Sequence, residues 1–536
     1  MKYLLQSLMM LAVIEIYAQT PLTYNKFYSS DTVNMFSNGT NILPYTDTSF
    51  VVANTFYSNY YHKNGLELIH FNYNGQVIWR RVNIINLEGF YINGFGELIR
   101  TQNGGFAFIS FRNPYWTGDM HDAHLMLFDS LGIFEQEKLY TRYPGSVDRA
   151  FAGCQTSDGG FLLAGFTFDI VDFTADTTNI YVVRTNAEGD TIWTKMFDYG
   201  KDERAGIVKE DYDGGYLIGG FTATFTYTES DGTGDGDGLI YKLNTDGSVR
   251  WMLNIGTWDD DCDAYIVPCK TEPGKYYVWS CKGISFFGID SEARLYYLAK
   301  MDSTGYTYWR TEFTGQTKNI QKAIEMPDGK ILLVGYDSFG DGYSWCFPDW
   351  GWMALLDSTG TVLWDRTFYL YDEETIYGYA WLTDAIPATD GGYIVVGRYD
   401  LQLQPLALPM THVWLLKVDE NGCITPGCNE NLIFLSTNET QLMPLSNKEA
   451  LVQIYPNPAQ NMVTVTYNLY NQQQNSKAEA QLYLYNASGK LVFQTVLQGA
   501  GTETISIAHL PAGIYFCQVI ADSGKTLWHQ KLLVVK

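Results

Sequence analysis

The sequence predicts an all-β chain, a seven-bladed β-propeller followed by a small immunoglobulin-like β-sandwich. Three observations lead there. A turn-then-strand unit recurs along most of the chain, a second glycine turn recurs at a nearly fixed long spacing, and no stretch carries a helical apolar period. The clearest copies of the first unit are Asp158-Gly159-Gly160-Phe161-Leu162-Leu163-Ala164-Gly165, Asp213-Gly214-Gly215-Tyr216-Leu217-Ile218-Gly219-Gly220 and Asp390-Gly391-Gly392-Tyr393-Ile394-Val395-Val396-Gly397. Looser copies start at Asn103 and Asp328, and the weakest at Thr46 and Pro273. These are repeats 1 to 7, in chain order by position.

The second turn follows an apolar strand, as in Ile180-Tyr181-Val182-Val183-Arg184-Thr185-Asn186-Ala187-Glu188-Gly189. Its glycines are Gly75, Gly132, Gly189, Gly247, Gly305, Gly360 and Gly422, spaced by 57, 57, 58, 58, 55 and 62 residues. A fixed long period is the mark of a repeat architecture. Four residues after the glycine stand Trp79, Trp193, Trp251, Trp309 and Trp364, whereas repeats 2 and 7 carry Gln136 and Pro426. A large ring at one repeat position is most simply a packing residue between repeats.

Each period reads as four strands, here roughly Ala150–Thr156, Phe161–Phe166, Ile180–Thr185 and Thr191–Phe197. They are rich in Val, Ile, Tyr, Phe and Thr and bounded by Asp-Gly and Asn-Gly turns. Repeat 7 lacks its fourth strand. Leu22-Thr23-Tyr24-Asn25-Lys26-Phe27-Tyr28 resembles Thr191–Phe197 and is expected to supply it, which would remove an exposed edge.

The chain has 536 residues, 50 glycines, 15% aromatic residues and a formal net charge of -24. That charge argues against a nucleic-acid partner, which calls for a basic face. Residues 1–18 read as a secretory signal peptide, with Lys2 before an apolar run and a cut expected at Ala18/Gln19. The run is shorter than the roughly 20 residues of a membrane span, and no other segment approaches that length, so no transmembrane span is expected in the mature chain. Residues 19–428 are the propeller, 429–448 a polar linker and 449–536 a separate domain of short alternating strands.

That last domain resembles the C-terminal (type A) sorting domain of the type IX secretion system of Bacteroidetes. The resemblance covers Val452 to Lys536 and rests on Ile454-Tyr455-Pro456-Asn457-Pro458-Ala459, Leu484-Tyr485-Asn486-Ala487-Ser488-Gly489-Lys490, Leu510-Pro511-Ala512-Gly513-Ile514-Tyr515 and Lys531-Leu532-Leu533-Val534-Val535-Lys536. Pro456, Asn457, Pro458, Gly513, Tyr515, Lys531 and Lys536 are its motif positions. The resemblance implies export, engagement of the secretion machinery and a sorting protease, and release or attachment at the outer cell surface. Cys517 departs from the apolar residue usual in that strand and is expected to be a buried free thiol.

Cys423 and Cys428 bracket Ile-Thr-Pro-Gly and are expected to form a small disulfide loop. Cys269 and Cys281 flank the turn at Pro273-Gly274, a placement that would let them face each other across a hairpin. Cys154 and Cys269 occupy equivalent repeat positions, too far apart to bond.

Function is sought in the long variable loops, since binding groups sit on variable loops over rigid scaffolds. Trp116, Trp258, Trp345 and Trp350 lie in these loops among carboxylates. They suit stacking on sugar rings or anchoring a surface protein; the simpler alternative is that they fold back over the strands. Asp231, Asp235 and Asp237, with Thr233, resemble a calcium loop, but Lys242 stands where an EF-hand has its closing Glu, and a flexible polar hairpin is the simpler reading. His121, Asp122 and His124 offer metal-ligand types, although a His-x-x-His on a loop is ordinarily solvated surface. Paired acids such as Asp202/Glu203 and Asp260/Asp261 suit glycosidase chemistry only at a set separation. The sequence therefore favours a non-catalytic binding scaffold for a glycan or a protein. A polysaccharide hydrolase or lyase and a structural surface-layer spacer are the alternatives.

Overall fold

The computed structural model describes residues 23–29, 35–58, 63–84, 90–92, 96–114, 121–169, 178–199, 202–223, 236–256, 262–283, 294–313, 317–338, 349–371, 377–402, 410–425, 427–436, 443–444, 451–455, 459–468, 470–471, 476–477, 479–486, 490–521 and 526–535. The leader read at 1–18 lies outside them. The chain divides into two compact units, residues 1–444 and 445–536. The described elements are strands in many small sheets.

Repeat 3 shows why the sequence folds this way. Ser146–Gln155, Phe161–Asp169, Asn179–Thr185 and Thr191–Phe197 make a four-stranded antiparallel sheet in chain order. Gly159 turns the chain with φ at +88°, and Asp158 Oδ1 accepts the Gly160 N–H at 3.1 Å. Gly165 is required by a close approach: a Cβ there would sit 1.9 Å from the Arg149 carbonyl, where a bulge shifts the register between Ala150 and Ala152. Gly220, Gly335 and Gly397 repeat this device at the same place. The run Phe161–Gly165 is buried without alternation because sheets cover both of its faces. The outer strand Thr191–Phe197, by contrast, is mostly exposed.

Repeats 1, 4 and 5 each form a separate four-stranded sheet, and repeat 2 a five-stranded one with two short strands on one edge. Repeats 6 and 7 belong to one ten-stranded sheet, with the strands Asp349–Leu356 and Tyr377–Pro387 paired only at Asp349 and Tyr379. Core clusters run across consecutive repeats; one takes Leu217 and Ile240 from repeat 4, Tyr277 and Trp279 from repeat 5, and Leu333 and Trp352 from repeat 6.

The recurrent tryptophans stitch neighbouring repeats. Trp193 Nε1 donates to Thr245 O at 3.2 Å, Trp309 Nε1 to Ser358 O at 3.2 Å and Trp364 Nε1 to Glu420 O at 3.0 Å. Each acceptor precedes the turn glycine of the next repeat by two residues, and the ring covers that glycine. Where repeat 2 lacks the Trp, Tyr140 donates to Gly189 O at 2.7 Å instead. The N-terminal strand Tyr24–Ser29 pairs antiparallel with Met410–Val418, from Tyr24 opposite Lys417 to Tyr28 opposite Val413. It thus occupies the outer place that the sequence assigned to it. Its Tyr28 hydroxyl donates to Gly75 O, the same stitch carried into repeat 1.

Two expectations need correction. Within the expected linker, Leu432–Ser436 is a strand, parallel to Val362–Tyr371 from Thr367–Leu432 to Tyr371–Ser436. Ile433 and Leu435 supply the alternation, and Leu435 is buried in the core of repeats 6 and 7. Met443–Pro444 also pairs, in parallel, with the N-terminal strand. The second correction concerns Cys281, which is bonded to Cys262 rather than facing Cys269. Repeat 5 pairs Tyr265 with Trp279 and Pro268 with Tyr276, and the Cys269 N–H reaches Lys275 O. Cys269 therefore sits at the turn, and Cys281 lies at the far end of the hairpin beside Cys262. Cys154 and Cys269 are free and buried.

In residues 445–536, a three-stranded sheet of Leu451–Tyr455, Met462–Asn468 and Ala500–Ser506 and a four-stranded sheet of Glu479–Asn486, Leu491–Gln498, Gly513–Ala521 and Thr526–Val534 share one core. Cys517 is a buried free thiol in that core, and burial pushes its pKa up to about 12.

Candidate functional site

Four inner strands present the same cross-strand position at their loop-side ends: Arg149 opposite Phe166, Arg204 opposite Phe221, Asn319 opposite Tyr336 and Trp381 opposite Arg398. Three of these pairs are cation–π contacts. Arg149 lies 5.1 Å from the Phe166 ring centre and 5.0 Å from Phe111, Arg204 lies 4.7 Å from Phe221, and Arg398 lies 3.8 Å from Trp381. Tyr336 stacks on Trp381 with ring centres 4.8 Å apart.

A cleft of about 300 Å³ opens beside Arg204. Tyr265 and Trp279 stack there with centres 5.3 Å apart and planes at 10°. Arg204 Nε donates to Asp263 Oδ1 at 3.1 Å, Gln321 Nε2 to Asn319 Oδ1 at 2.6 Å and Asn319 Nδ2 to the Tyr296 hydroxyl at 2.7 Å. The Cys262–Cys281 disulfide ties the segment carrying Asp263 to the strand carrying Trp279 and Ser280. Burial raises the Tyr265 phenol well above its ordinary pKa, and Asp263 adds to that shift.

Further along the inner strands, charged groups meet across repeats. Lys209 Nζ reaches Glu97 Oε1 at 2.6 Å, and Lys322 Nζ reaches Asp384 Oδ2 at 2.7 Å. Glu97 also accepts the Gly153 N–H at 2.9 Å, Asp384 the Ile42 N–H at 3.2 Å, and Asn41 the Leu98 N–H at 3.0 Å. Each of these three side chains thus takes a backbone donor from the next repeat. Burial works to raise the Glu97 carboxyl, but Lys209, Lys322 and the Gly153 N–H outweigh it and hold it below its ordinary value. Asp349 and Asp400 behave oppositely: burial raises both. Asp349 is nevertheless engaged, accepting Trp381 Nε1 at 2.6 Å and the Ser338 hydroxyl.

Of the loop tryptophans, Trp116, Trp258 and Trp345 lie outside the described residues, as do Asp231 and Asp235. Trp350 is half-buried, and its ring meets Tyr369 at 4.9 Å, so it folds back on the strands. Asp237 lies within the strand Gly236–Leu243, accepting Asn254 Nδ2 at 2.8 Å. Among the described residues no three His, Cys, Asp or Glu side chains gather to hold a metal ion. His121 and His124 are not solvated surface. Both are buried, with Arg149 Nε donating to His121 Nδ1 at 2.6 Å and His124 Nε2 2.9 Å from Glu137 Oε2. Asp202 and Glu203 are consecutive on a strand and point to opposite faces; Glu203 is buried and accepts the Thr222 hydroxyl at 3.2 Å. Asp260 and Asp261 lie outside the described residues. Cys423 and Cys428 are bonded, with Cα atoms 5.8 Å apart.

Sequence reasoning missed a set of buried cations. Arg184, Lys242, Lys300 and Lys417 stand five residues before their turn glycines and reach Asp158, Asp211 with Asp213, Glu272 and Asp390. The signal was a single basic residue ending an apolar strand at a fixed offset. The cleft residues gave no such signal, because they come from three repeats.

At the C-terminus, Tyr515 is buried and its hydroxyl donates to Pro511 O at 2.8 Å, which fixes the turn before the strand Gly513–Ala521. The Lys531 backbone pairs with Phe516. Pro456, Asn457, Pro458 and Lys536 lie outside the described residues. Residues 453–535 match the family described as secretion system C-terminal sorting domain. This tail is a type IX secretion sorting domain. The sorting domain marks the chain for export and for secretion or attachment at the outer cell surface, and it implies interaction with the type IX machinery. Among the described residues no helix is long and apolar enough to cross a membrane.

No curated protein matches the chain. Among solved structures it is similar to Drosophila Semaphorin 2a, at 8% identity over 96% of this chain and 100% of that one, with a TM-score of 0.41. It is also similar to the β-propeller domain of the Trilobed protease from Pyrococcus furiosus, at 10% identity over 76% and 100%, with a TM-score of 0.37. A third is the α-L-arabinofuranosidase Arb93A from Fusarium graminearum, at 9% identity over 61% and 93%, with a TM-score of 0.38.

Proposed function

We propose that residues 19–428, extended by the strand at 432–436, are a seven-bladed propeller serving as a non-catalytic binding scaffold outside the cell. The C-terminal unit is then its sandwich-type export tag. The N-terminal strand in the outer place of repeat 7, with its stitch to Gly75, supports closure of the ring. The ligand faces the loop-side ends of the inner strands. The observation that carries the non-catalytic reading is the fate of the inner-strand acids. Glu97 and Asp384 are each spent on a lysine and a backbone N–H of the next repeat. A glycosidase needs one carboxyl free to donate a proton and a second free to act as base or nucleophile. Among the described residues the loop-side ends also offer aromatic rings, guanidinium groups and amides, with Asp263 paired to Arg204, and such groups hold a ligand without transforming it.

The test incubates the full chain with a panel of extracellular polysaccharides, measuring co-sedimentation and new sugar ends together. Retention without new ends is expected. New ends would overturn the non-catalytic reading and direct attention to Asp337, Asp349 and Asp400, whose raised pKa favours a hydrolase.

A further inference from the structure

We propose that the cleft between repeats 4, 5 and 6 is a subsite for one uncharged sugar ring of a neutral glycan. The inference rests on the binding role proposed above and names its ligand class. Two observations carry it independently of the loops. The first is the cleft's lining. Its one cation, Arg204, is neutralised by Asp263 at 3.1 Å, and Asn319 and Gln321 add amides, so the lining is rich in hydrogen-bonding groups yet has little net charge. Guanidinium, carboxylate and amide groups side by side match adjacent hydroxyls, which both donate and accept. The second is an unsatisfied donor: Trp279 is 1% exposed, lines the cleft, and its Nε1–H has no hydrogen-bond partner. Buried donors are ordinarily paired, and this one lies in a residue of the cleft wall with its nitrogen closed to solvent, so an acceptor on a ligand reaches it when the wall side chains shift.

The physical setting selects against anionic glycans. The chain's net charge of -24 repels polyuronates, and Arg204 is already paired. The volume of about 300 Å³ is at the lower end for ligand sites, which suits a single sugar ring. The Cys262–Cys281 bond holds the Asp263 segment against the Trp279 strand before any ligand arrives, so less order is lost on binding.

The experiment uses the full chain in affinity electrophoresis through gels containing xylan, galactomannan, laminarin or dextran, with alginate and polygalacturonate as anionic counterparts. At least one neutral glycan should retard the protein, and neither polyuronate should. Trp279→Phe, which keeps an aromatic ring and deletes the orphan N–H, and the pair Asn319→Ala/Gln321→Ala, half-buried and exposed respectively, should each weaken retardation at least tenfold. Unchanged far-ultraviolet dichroism and a cooperative thermal transition confirm that both variants are folded. Retardation by a neutral glycan that survives both variants overturns the cleft assignment and leaves the scaffold reading standing. Retardation by polyuronates alone overturns the ligand class, and no retardation by any of the six overturns the inference altogether.

Discussion

Replacing Phe27 by Ala tests whether the N-terminal strand closes the body. Phe27 is 2% exposed, with Tyr399 at 5.2 Å and Trp414 at 6.3 Å between ring centres. Truncating a buried Phe costs about 3–5 kcal/mol. Two ring neighbours and a well-filled surrounding core argue for the upper half of that range. If the body unfolds as one unit of about 420 residues, an unfolding entropy of about 2.1 cal/mol/K per residue gives ~0.9 kcal/mol/K, so Tm falls by about 4–6 °C. The control is Phe434→Ala, because that ring is 66% exposed and its loss should move Tm by less than about 1 °C. Calorimetry on the full chain reads both shifts, and amide exchange should quicken in Met410–Val418 in the Phe27 variant alone. Equal shifts from the two variants, or unchanged exchange, would refute closure by this strand.

Three further outcomes follow from the same structure. His70, its ring tilted against Tyr45 at 4.3 Å and near Trp79 at 5.1 Å, has its pKa pushed down to about 4 by burial and by Arg100 and Arg81. The unfolded chain takes a proton there near pH 6.5 and the folded chain only near 4, so stability falls as pH drops through that window, by roughly 3 kcal/mol in all, and levels off below it. His70→Phe should remove this part of the slope in urea titrations at pH 7 and pH 4.5. Lys242→Met should destabilise by about 3–5 kcal/mol, because it leaves Asp211 buried without its cation, and adding Asp211→Asn should restore part of the loss in the same titrations. Deleting residues 453–535 should keep the body inside the cell, read by immunoblots of medium and surface fractions.

The repeat was legible because its devices are local. The Asp-Gly-Gly turn, the glycine seven residues later and the Trp after the next turn all report backbone or packing needs within one period. Strand pairing at the N-terminus was legible because Leu22–Tyr28 copies a strand type found elsewhere in the chain. The Cys269 assignment failed because symmetry about a turn is not register. Pairing of Tyr265 with Trp279 puts Cys281 beside Cys262, and one residue type at a wrong offset looked as good as the right one. Leu432–Ser436 was missed because a five-residue strand in a polar stretch shows too little periodicity, and its partner lies more than sixty residues back. The cleft was out of reach for a related reason. Arg204, Asp263 and Asn319 carry no motif, and only the packing of three sheets makes neighbours of them.

The joint between Tyr24–Ser29 and Met410–Val418 also bears on the order of events as the protein is made. Asn25 accepts the Trp414 indole N–H at 2.6 Å across 389 residues of chain. Stitches between adjacent sheets span about one period, so the entropy of bringing these two ends together is greater by about 1.7 kcal/mol. More telling than the energy is the timing. A ribosome must finish nearly all of the body before the last partner exists, and until then the chain carries an open sheet edge at each end. The strand Tyr24–Ser29 therefore waits for its antiparallel partner through most of the chain's synthesis.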